Sequence, residues 1–357
     1  MSVLFNEIRN APLLWLLALV PVALVAARVW HDAHTLLFVL SVAAIVPLAA
    51  LLSRATESVA AKTGDAIGGL LNATLGNLTE LIIALAALNA GQYVLVKASI
   101  AGAIVTNALF MLGTSFLYGG LKHHVQEYNR SNARLQAGLL FLATIGLLIP
   151  SVLADADTSP ADARFVQTLS LGLSVLLIVT YALGLLFTLV THREFFSGGS
   201  HGEEHEAEWP LPLALITLAV VTVLVALVSE IFVESVQQAA TALGLSAAFV
   251  GFIVVAMVGG AAEMVSAWSA AGKNRLDLSV GIALGSAVQI ALFVAPVLVL
   301  LSYVIGPKPM DLEFWHGAVA MMFIATLTAA LVTTSGRSAW FIGVLVVMIY
   351  VIFALTL

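Results

Sequence analysis

Two glutamates stand deep inside long apolar segments of the sequence. Glu80 lies near the middle of the run 66–90, and Glu263 lies well inside the run 246–271. A carboxylate at the centre of a bilayer costs roughly 2.5–3.5 kcal/mol on insertion scales, so such residues are functional candidates by default. Either protons or a divalent cation can neutralise two carboxylates at this depth. A purely structural alternative is that the protonated side chains hydrogen-bond neighbouring helices.

Other polar side chains in these runs can complete an oxygen-rich cation site. Amides are offered by Asn77, Asn107 and Gln289, and hydroxyls by Thr74, Thr79 and Thr106. Ca²⁺ takes six to eight oxygen ligands from carboxylates, carbonyls, amides and water. The chain has no cysteine, and its apolar runs contain no histidine except His316 at an edge, so a transition-metal site is not expected.

Glycines precede both glutamates by a few residues. Gly76 comes before Glu80, and the pair Gly259-Gly260 comes before Glu263. Glycine weakens a helix, so we expect both helices to loosen there and to free backbone carbonyls as further ligands. The cation ligands predicted from the sequence are Glu80, Glu263, Asn77, Asn107, Gln289, Gly76 and Gly259.

Two further glutamates lie near the ends of predicted helices. Glu57 and Glu234 occupy matching places in the sequence, each followed by Ser-Val. One interpretation is a relay that passes protons or cations to the central site, with Glu57 and Glu234 joining Glu80 and Glu263 in proton coupling. The alternative is that both are interfacial carboxylates that reach out to water.

The composition requires elements that cross a membrane. Of 357 residues, 61% are hydrophobic and only 10% are charged, against roughly 45–50% and 25% in soluble domains. The net charge of -6 offers no basic surface for nucleic acid. We therefore expect a multi-pass integral membrane protein whose surroundings are the lipid bilayer.

The apolar runs predict an all-α membrane protein. A spanning helix needs roughly 20 mostly apolar residues, and about eleven segments meet this criterion. Barrel strands are shorter and alternate in polarity, so a β-barrel is not expected. The segments lie near 13–29, 35–52, 66–90, 95–118, 135–154, 166–191, 211–235, 246–271, 277–304, 315–334 and 338–356.

The basic residues predict the orientation. With eleven spans, ten of the 14 Lys and Arg residues fall on the side of the amino terminus and four on the other side. Cytoplasmic loops carry the excess of basic residues. The amino terminus is therefore expected in the cytoplasm and the carboxyl terminus on the opposite side.

The chain also carries signs of an internal repeat. Besides the Glu-Ser-Val pair, the sequence LGNLTE at 75–80 matches VGGAAE at 258–263. Five helices in each half would make the halves inverted in the membrane, as is common in secondary transporters. The predicted divisions are an extra amino-terminal helix (1–33), a first five-helix repeat (34–191), an acidic cytoplasmic linker (192–210) and a second five-helix repeat (211–357).

The linker between the halves is polar and acidic. It contains His201, Glu204 and His205, which could share a metal ion as a cation sensor. The alternative is a solvated flexible connection, which its glycines favour.

The motifs around the glutamates resemble those of a known family. The segment GDAIGGLLNATLGNLTELIIAL at 64–85 resembles the first cation-binding repeat of calcium/proton exchangers, and GGAAEM at 259–264 and GSAVQIALFVAP at 285–296 resemble the second. The resemblance covers essentially the whole chain. It implies that Glu80 and Glu263 carry Ca²⁺ and H⁺, while Asn107 and Gln289 lie on the flanking helices. The family usually has Asn and His where this chain has Gly260 and Met264.

Residues and resemblance together predict a secondary active antiporter that exports cytosolic Ca²⁺ in exchange for H⁺ by alternating access. We expect no enzymatic activity and no cofactor beyond the transported Ca²⁺ and H⁺. Open alternatives are a Na⁺/Ca²⁺ or Na⁺/H⁺ exchanger of the same fold, or a passive Ca²⁺ channel. A prokaryotic cell membrane is the expected location in preference to a vacuolar membrane.

Overall fold

The computed structural model describes residues 4, 7–9, 11–63, 65–154, 160–192 and 209–357. Almost all of them are helical, as expected where a bilayer leaves backbone groups no other partners. The helices of the first half are α1 (Leu19–Val29, preceded by a 3₁₀ turn at Pro12–Ala18), α2 (His34–Lys62), α3 (Asp65–Leu75), α4 (Leu78–Asn89), α5 (Tyr93–Val105), α6 (Leu112–His123), α7 (Arg130–Ala154) and α8 (Pro160–Leu186).

The second half is also mostly helical. Its helices are α9 (Leu211–Leu243), α10 (Ala247–Phe249), α11 (Ala256–Gly259), α12 (Ala261–Gly272), α13 (Leu276–Gln289), α14 (Ala295–Leu301), α15 (His316–Val332) and α16 (Trp340–Leu355). Segments of π-helix join or extend some of these at Thr106–Met111, Phe187–Thr191, Val250–Val255 and Ile290–Val294. The strands are β1 (Val125–Glu127) and β2 (Arg337–Ala339), which pair antiparallel.

The lengths of the helices fit a membrane protein. Among the described residues, seven helices are long and apolar enough to cross a bilayer, and two bent helix pairs bring the number to nine. The two remaining apolar helices, α15 and α16, have 17 and 16 residues. The chain is therefore an integral membrane protein, while the number of eleven spans and the inverted repeat stay predictions.

Two helices extend well beyond the apolar runs that predicted them. The run 35–52 becomes α2, which continues to Lys62, and the run 211–235 becomes α9, which continues to Leu243. Hydropathy detects only the apolar part of a helix, whereas both helices continue with polar residues. Gly244 ends α9 in the left-handed conformation (φ 70°), a common way for a helix to stop.

Both helices that carry the central glutamates are broken. The axes of α3 and α4 differ by 40° across Gly76 and Asn77, and the α10–α11 segment is bent by 58° from α12 at Gly260. These breaks lie where the sequence predicted weakened helices.

Contacts at each end of the bundle join residues of the first half to residues of the second half. At one end, β1 pairs with β2, and the Asn129 backbone N–H donates to Asp277 at 2.8 Å. At the other end, Gln92 donates to the Val233 carbonyl at 2.8 Å, and Lys97 pairs with Asp311. The first of these ends is called the basic end below, because Lys122, Lys273, Arg275 and Arg337 lie there.

Candidate cation site

Glu80 and Glu263 occupy the same position relative to the two helix breaks. Asn77 is the residue before α4 and Gly260 the residue before α12, so each glutamate is the third residue of its half-helix. Backbone N–H groups in the first turn of a helix have no helical partner, and the helix dipole favours negative charge there. Both carboxylates are therefore placed where a helix end stabilises them.

Glu80 contacts the second broken helix at its break. The Glu80 side chain packs on Gly259, where an added Cβ would lie 2.8 Å from the Glu80 Cγ. Gly259 precedes Glu263 by four residues, so this contact brings Glu80 to the break that precedes the half-helix of Glu263. The Oε2 atom of Glu263 is buried without a hydrogen-bond partner among the described residues.

A chain of amide and hydroxyl groups joins the two halves beside the glutamates. Asn77 donates through Nδ2 to the Gln289 Oε1 at 2.5 Å, and its Oδ1 accepts from the Ser286 hydroxyl at 2.8 Å. The Ser286 hydroxyl also accepts from the Asn107 Nδ2 at 2.8 Å. The three predicted amides therefore converge: Ser286 connects Asn107 to Asn77, and Asn77 in turn binds Gln289.

Two of these amides stand at irregular points of their helices. Asn107 lies in the π-helical segment Thr106–Met111, and Gln289 immediately precedes the segment Ile290–Val294. Single π-helical turns within α-helices are frequent at functional sites. In each half, the helix beside the broken one is thus distorted where its amide faces the centre.

A cavity connects this region to the basic end. A space of about 250 Å³ is lined by Glu263, Gly76, Ser286, Gln289 and Glu57, among others. It adjoins a second space of about 910 Å³, the vestibule, whose walls include Arg54, Lys273 and Arg275. Glu57 lines both spaces, as do Ser53, Ser266 and Leu278. Glu263 can therefore be reached from the basic end.

The two predicted relay glutamates have different surroundings. Glu57 accepts a hydrogen bond from Ser53 at 3.1 Å and lines the path from the vestibule to Glu263. Glu234 is exposed on α9 and does not line either space. It lies next to Val233, whose carbonyl is bound at the opposite end.

Two buried tyrosines support the site and were not singled out from the sequence. The Tyr181 hydroxyl donates to the Ala73 carbonyl at 2.6 Å, one helical turn before the break at Asn77. Tyr350 lies 3.2 Å from the Thr106 hydroxyl. Tyr181 packs on Phe293, and Tyr350 packs on Phe110, so each tyrosine contacts a π-helical segment of the opposite half.

The side-chain atoms available to bind a cation at this site are oxygens. No group of three His, Cys, Asp or Glu side chains in the described part of the chain is arranged to hold a metal ion. A cation bound by Glu80 and Glu263 would therefore draw its other ligands from amide, hydroxyl and backbone oxygens and from water. Ca²⁺ accepts such a set. The predicted linker sensor, His201, Glu204 and His205, lies outside the described residues.

Comparisons with known proteins cover nearly the whole chain. A family model described as sodium/calcium exchanger protein matches residues 33–190 and 213–357. A Ca²⁺/H⁺ antiporter of Aphanothece halophytica is 37% identical over 361 residues, which cover 97% of this chain and 96% of the antiporter. The Ca²⁺/H⁺ antiporter ChaA of Bacillus subtilis (strain 168) is 40% identical over 340 residues, with 94% and 95% covered. The structure of native YfkE matches with a TM-score of 0.81 at 37% identity, covering 95% of this chain and 97% of that one.

Proposed function

This chain belongs to the sodium/calcium exchanger protein family, and on that premise we propose that it is a secondary active antiporter that exports cytosolic Ca²⁺ in exchange for H⁺. Relatives that match nearly all of the chain are named Ca²⁺/H⁺ antiporters. The observation that carries the assignment is the placement of Glu80 and Glu263. Each is the third residue of a half-helix, Glu80 packs on Gly259 of the other broken helix, and Glu263 lines a cavity. No enzymatic role or cofactor is part of the proposal.

Ca²⁺ enters from the vestibule at the basic end. The basic residues predicted to face the cytosol include those at this end, which supports a cytosolic location for the vestibule. The cation displaces protons from Glu80 and Glu263, and oxygens of Asn77, Asn107 and Gln289 add to its ligands. Backbone carbonyls at the breaks, near Gly76 and Gly259, complete the coordination with water.

Ca²⁺ transport is coupled to protons because two carboxylates without a bound cation or proton are unfavourable at the centre of the membrane. Two neighbouring carboxylates in a low-dielectric centre are stable only when protons or a divalent cation neutralise them. Only the loaded and the protonated forms therefore change access from one side to the other. Protons from the far side then compete for the carboxylates and release Ca²⁺ there.

The relay glutamates act at different stages in this scheme. Glu57 passes protons and cations between the vestibule and Glu263 while the basic end is open. Glu234 takes the corresponding role when access changes to the opposite end. The supporting observation for Glu57 is its position in the walls of both spaces.

The proposal places the protein in the cell membrane of a prokaryote, with the amino terminus in the cytoplasm and the carboxyl terminus outside. Two of the similar antiporters come from Aphanothece halophytica and Bacillus subtilis. We also propose that the chain divides into an extra helix (1–33), two repeats (34–191 and 211–357) and a linker between them (192–210).

Uptake of radiolabelled Ca²⁺ into proteoliposomes with an imposed pH gradient tests the function. We expect uptake that follows the proton gradient, collapses with a protonophore and is lost in Glu263→Gln. Glu127→Gln is the matched control, because this exposed carboxylate pairs with Arg337 and lines neither of the two spaces. Uptake that ignored protons and followed a sodium gradient would identify a sodium-driven exchanger. Flux without any coupling would identify a passive channel.

A further inference from the structure

We propose that Gly260 is a specificity-determining position, which leaves one half of the cation site adjustable and lets it accept divalent cations over a range of radii. The inference rests on the proposed function, since it concerns the site between Glu80 and Glu263. It starts from a difference between the two helix breaks. Asn77 precedes α4, whereas Gly260, without a side chain, stands in the same place before α12.

The first half of the site is held rigidly by Asn77. Its amide nitrogen donates a hydrogen bond to Gln289, and its amide oxygen accepts one from Ser286; both partners belong to the other half of the chain. Asn77 is buried, with 2% of its surface exposed. The hydrogen bonds fix the amide of Gln289 and the hydroxyl of Ser286 at set positions beside the cavity.

At the second helix break, where Gly260 stands in place of an asparagine, no corresponding hydrogen bond forms among the described residues. Asn107 is 1% exposed and donates to Ser286, but its Oδ1 has no partner among the described residues. A Cβ on Gly260 would lie 3.6 Å from this Oδ1. Met264, whose Cε is also 3.6 Å from that point, has a thioether and no hydrogen-bond donor. Neither neighbour can fix the Asn107 oxygen.

A buried oxygen without a hydrogen bond is unfavourable, so the approach of a cation or of its water stabilises the Asn107 Oδ1. A second unpaired acceptor, the Glu263 Oε2, lies on α12, the helix that Gly260 precedes. Oxygens that are not held by hydrogen bonds can move to suit the radius of the cation. Selectivity among hard cations depends on the number and rigidity of the ligands, and this half of the site is therefore permissive.

An asparagine at position 260 would restore the missing hydrogen bond. The backbone of Gly260 (φ -81°, ψ 8°) is accessible to any residue. From a Cβ at 3.6 Å, the amide nitrogen can turn to within the roughly 2.9 Å that a hydrogen bond to the Asn107 Oδ1 requires. In the variant G260N, the new amide would thus fix the Asn107 oxygen at the second break, as Asn77 fixes its partners at the first.

The test is competition by Sr²⁺, which is larger than Ca²⁺, and by Mn²⁺, which is smaller, against proton-driven uptake of radiolabelled Ca²⁺. For the wild type we expect inhibition constants for both ions within about fivefold of the KM for Ca²⁺. In G260N we expect both ratios to rise by about tenfold, equivalent to roughly 1.4 kcal/mol. In G260A, which adds bulk without a donor, the ratios should stay at the wild-type values.

Each outcome separates the inference from the function on which it rests. Wild-type protein without any proton-driven Ca²⁺ uptake would overturn the proposed antiport itself. Normal Ca²⁺ uptake with strong rejection of Sr²⁺ and Mn²⁺ by the wild type would overturn the inference alone, and this measurement needs no variant to fold. Equal changes in G260N and G260A would also overturn it, because bulk rather than the hydrogen bond would then set selectivity.

Discussion

Glu80 packs directly against Gly259, so the glutamate of one half uses the space left by a glycine of the other. A Cβ on Gly259 would approach the Glu80 Cγ to 2.8 Å and its Cδ to 3.3 Å. The two broken helices therefore meet at their breaks, and neither half can form the site alone. This contact links the position of one carboxylate to the size of a residue in the other half.

Replacing Gly259 by alanine is expected to displace the Glu80 carboxyl group. Because the added methyl group would overlap the glutamate, we predict that the KM for Ca²⁺ rises at least about tenfold, or about 1.4 kcal/mol. Proton-driven Ca²⁺ uptake measures the effect. Gly138→Ala is the matched control, because nothing lies within 4 Å of the Cβ it would add. An unchanged KM in Gly259→Ala would show that Glu80 does not need its observed position.

Tyr181→Phe removes the hydroxyl that binds the Ala73 carbonyl at the first helix break. Hydrogen bonds between membrane helices contribute about 0.6 kcal/mol on average and at most about 1.7 kcal/mol. We predict a loss of stability in this range, visible as a lower melting temperature in detergent, together with slower Ca²⁺ exchange. A similar melting temperature with full exchange would mean that the break does not depend on this bond.

Glu57→Gln is expected to weaken Ca²⁺ entry without abolishing exchange. It removes a negative charge from the wall that the vestibule shares with the space of about 250 Å³ beside Glu263. Charge along an access path raises the local concentration of counter-ions, and added salt screens this effect. We predict a two- to fivefold higher KM for Ca²⁺ applied at the basic end, about half a decade in affinity, and a smaller difference at high ionic strength. A complete loss of exchange would instead place Glu57 in the central site.

The sequence alone predicted the parts of the site whose residue types are unfavourable in a membrane-spanning helix. Glu80 and Glu263 were recognisable because charge is costly at that depth, and Gly76 and Gly260 because glycine weakens a helix. The structure breaks both helices at these places. These features depend on each residue and its own helix, so they need no knowledge of the packing.

The contacts between the halves could not be predicted in this way. Ser286 is one of many small polar residues, and its role follows only from its distance to Asn77 and Asn107. A signal was nevertheless present, since Ser286 precedes Gln289 by three residues and so shares its helix face. Tyr181 is a further case, because its partner is a backbone carbonyl 108 residues away.

The similar sequences around Glu57 and Glu234 also do not give these two residues similar surroundings. Glu57 and Glu234 share the same following residues, yet only Glu57 lines the two spaces that lead to Glu263. At the other end of the bundle, Lys97 pairs with Asp311. The two glutamates lie at opposite ends of the bundle, and the spaces that lead to Glu263 begin at the end that holds Glu57.

In the proposed exchange, Ca²⁺ and protons compete for the same pair of carboxylates, so Ca²⁺ binding should release protons. Purified protein in lightly buffered detergent solution, with a pH indicator, would be titrated with Ca²⁺. We expect the wild type and Glu127→Gln to release protons in proportion to bound Ca²⁺, and the double variant Glu80→Gln/Glu263→Gln to release none. Ca²⁺ binding by the wild type without proton release, or undiminished release by the double variant, would contradict the proposed exchange.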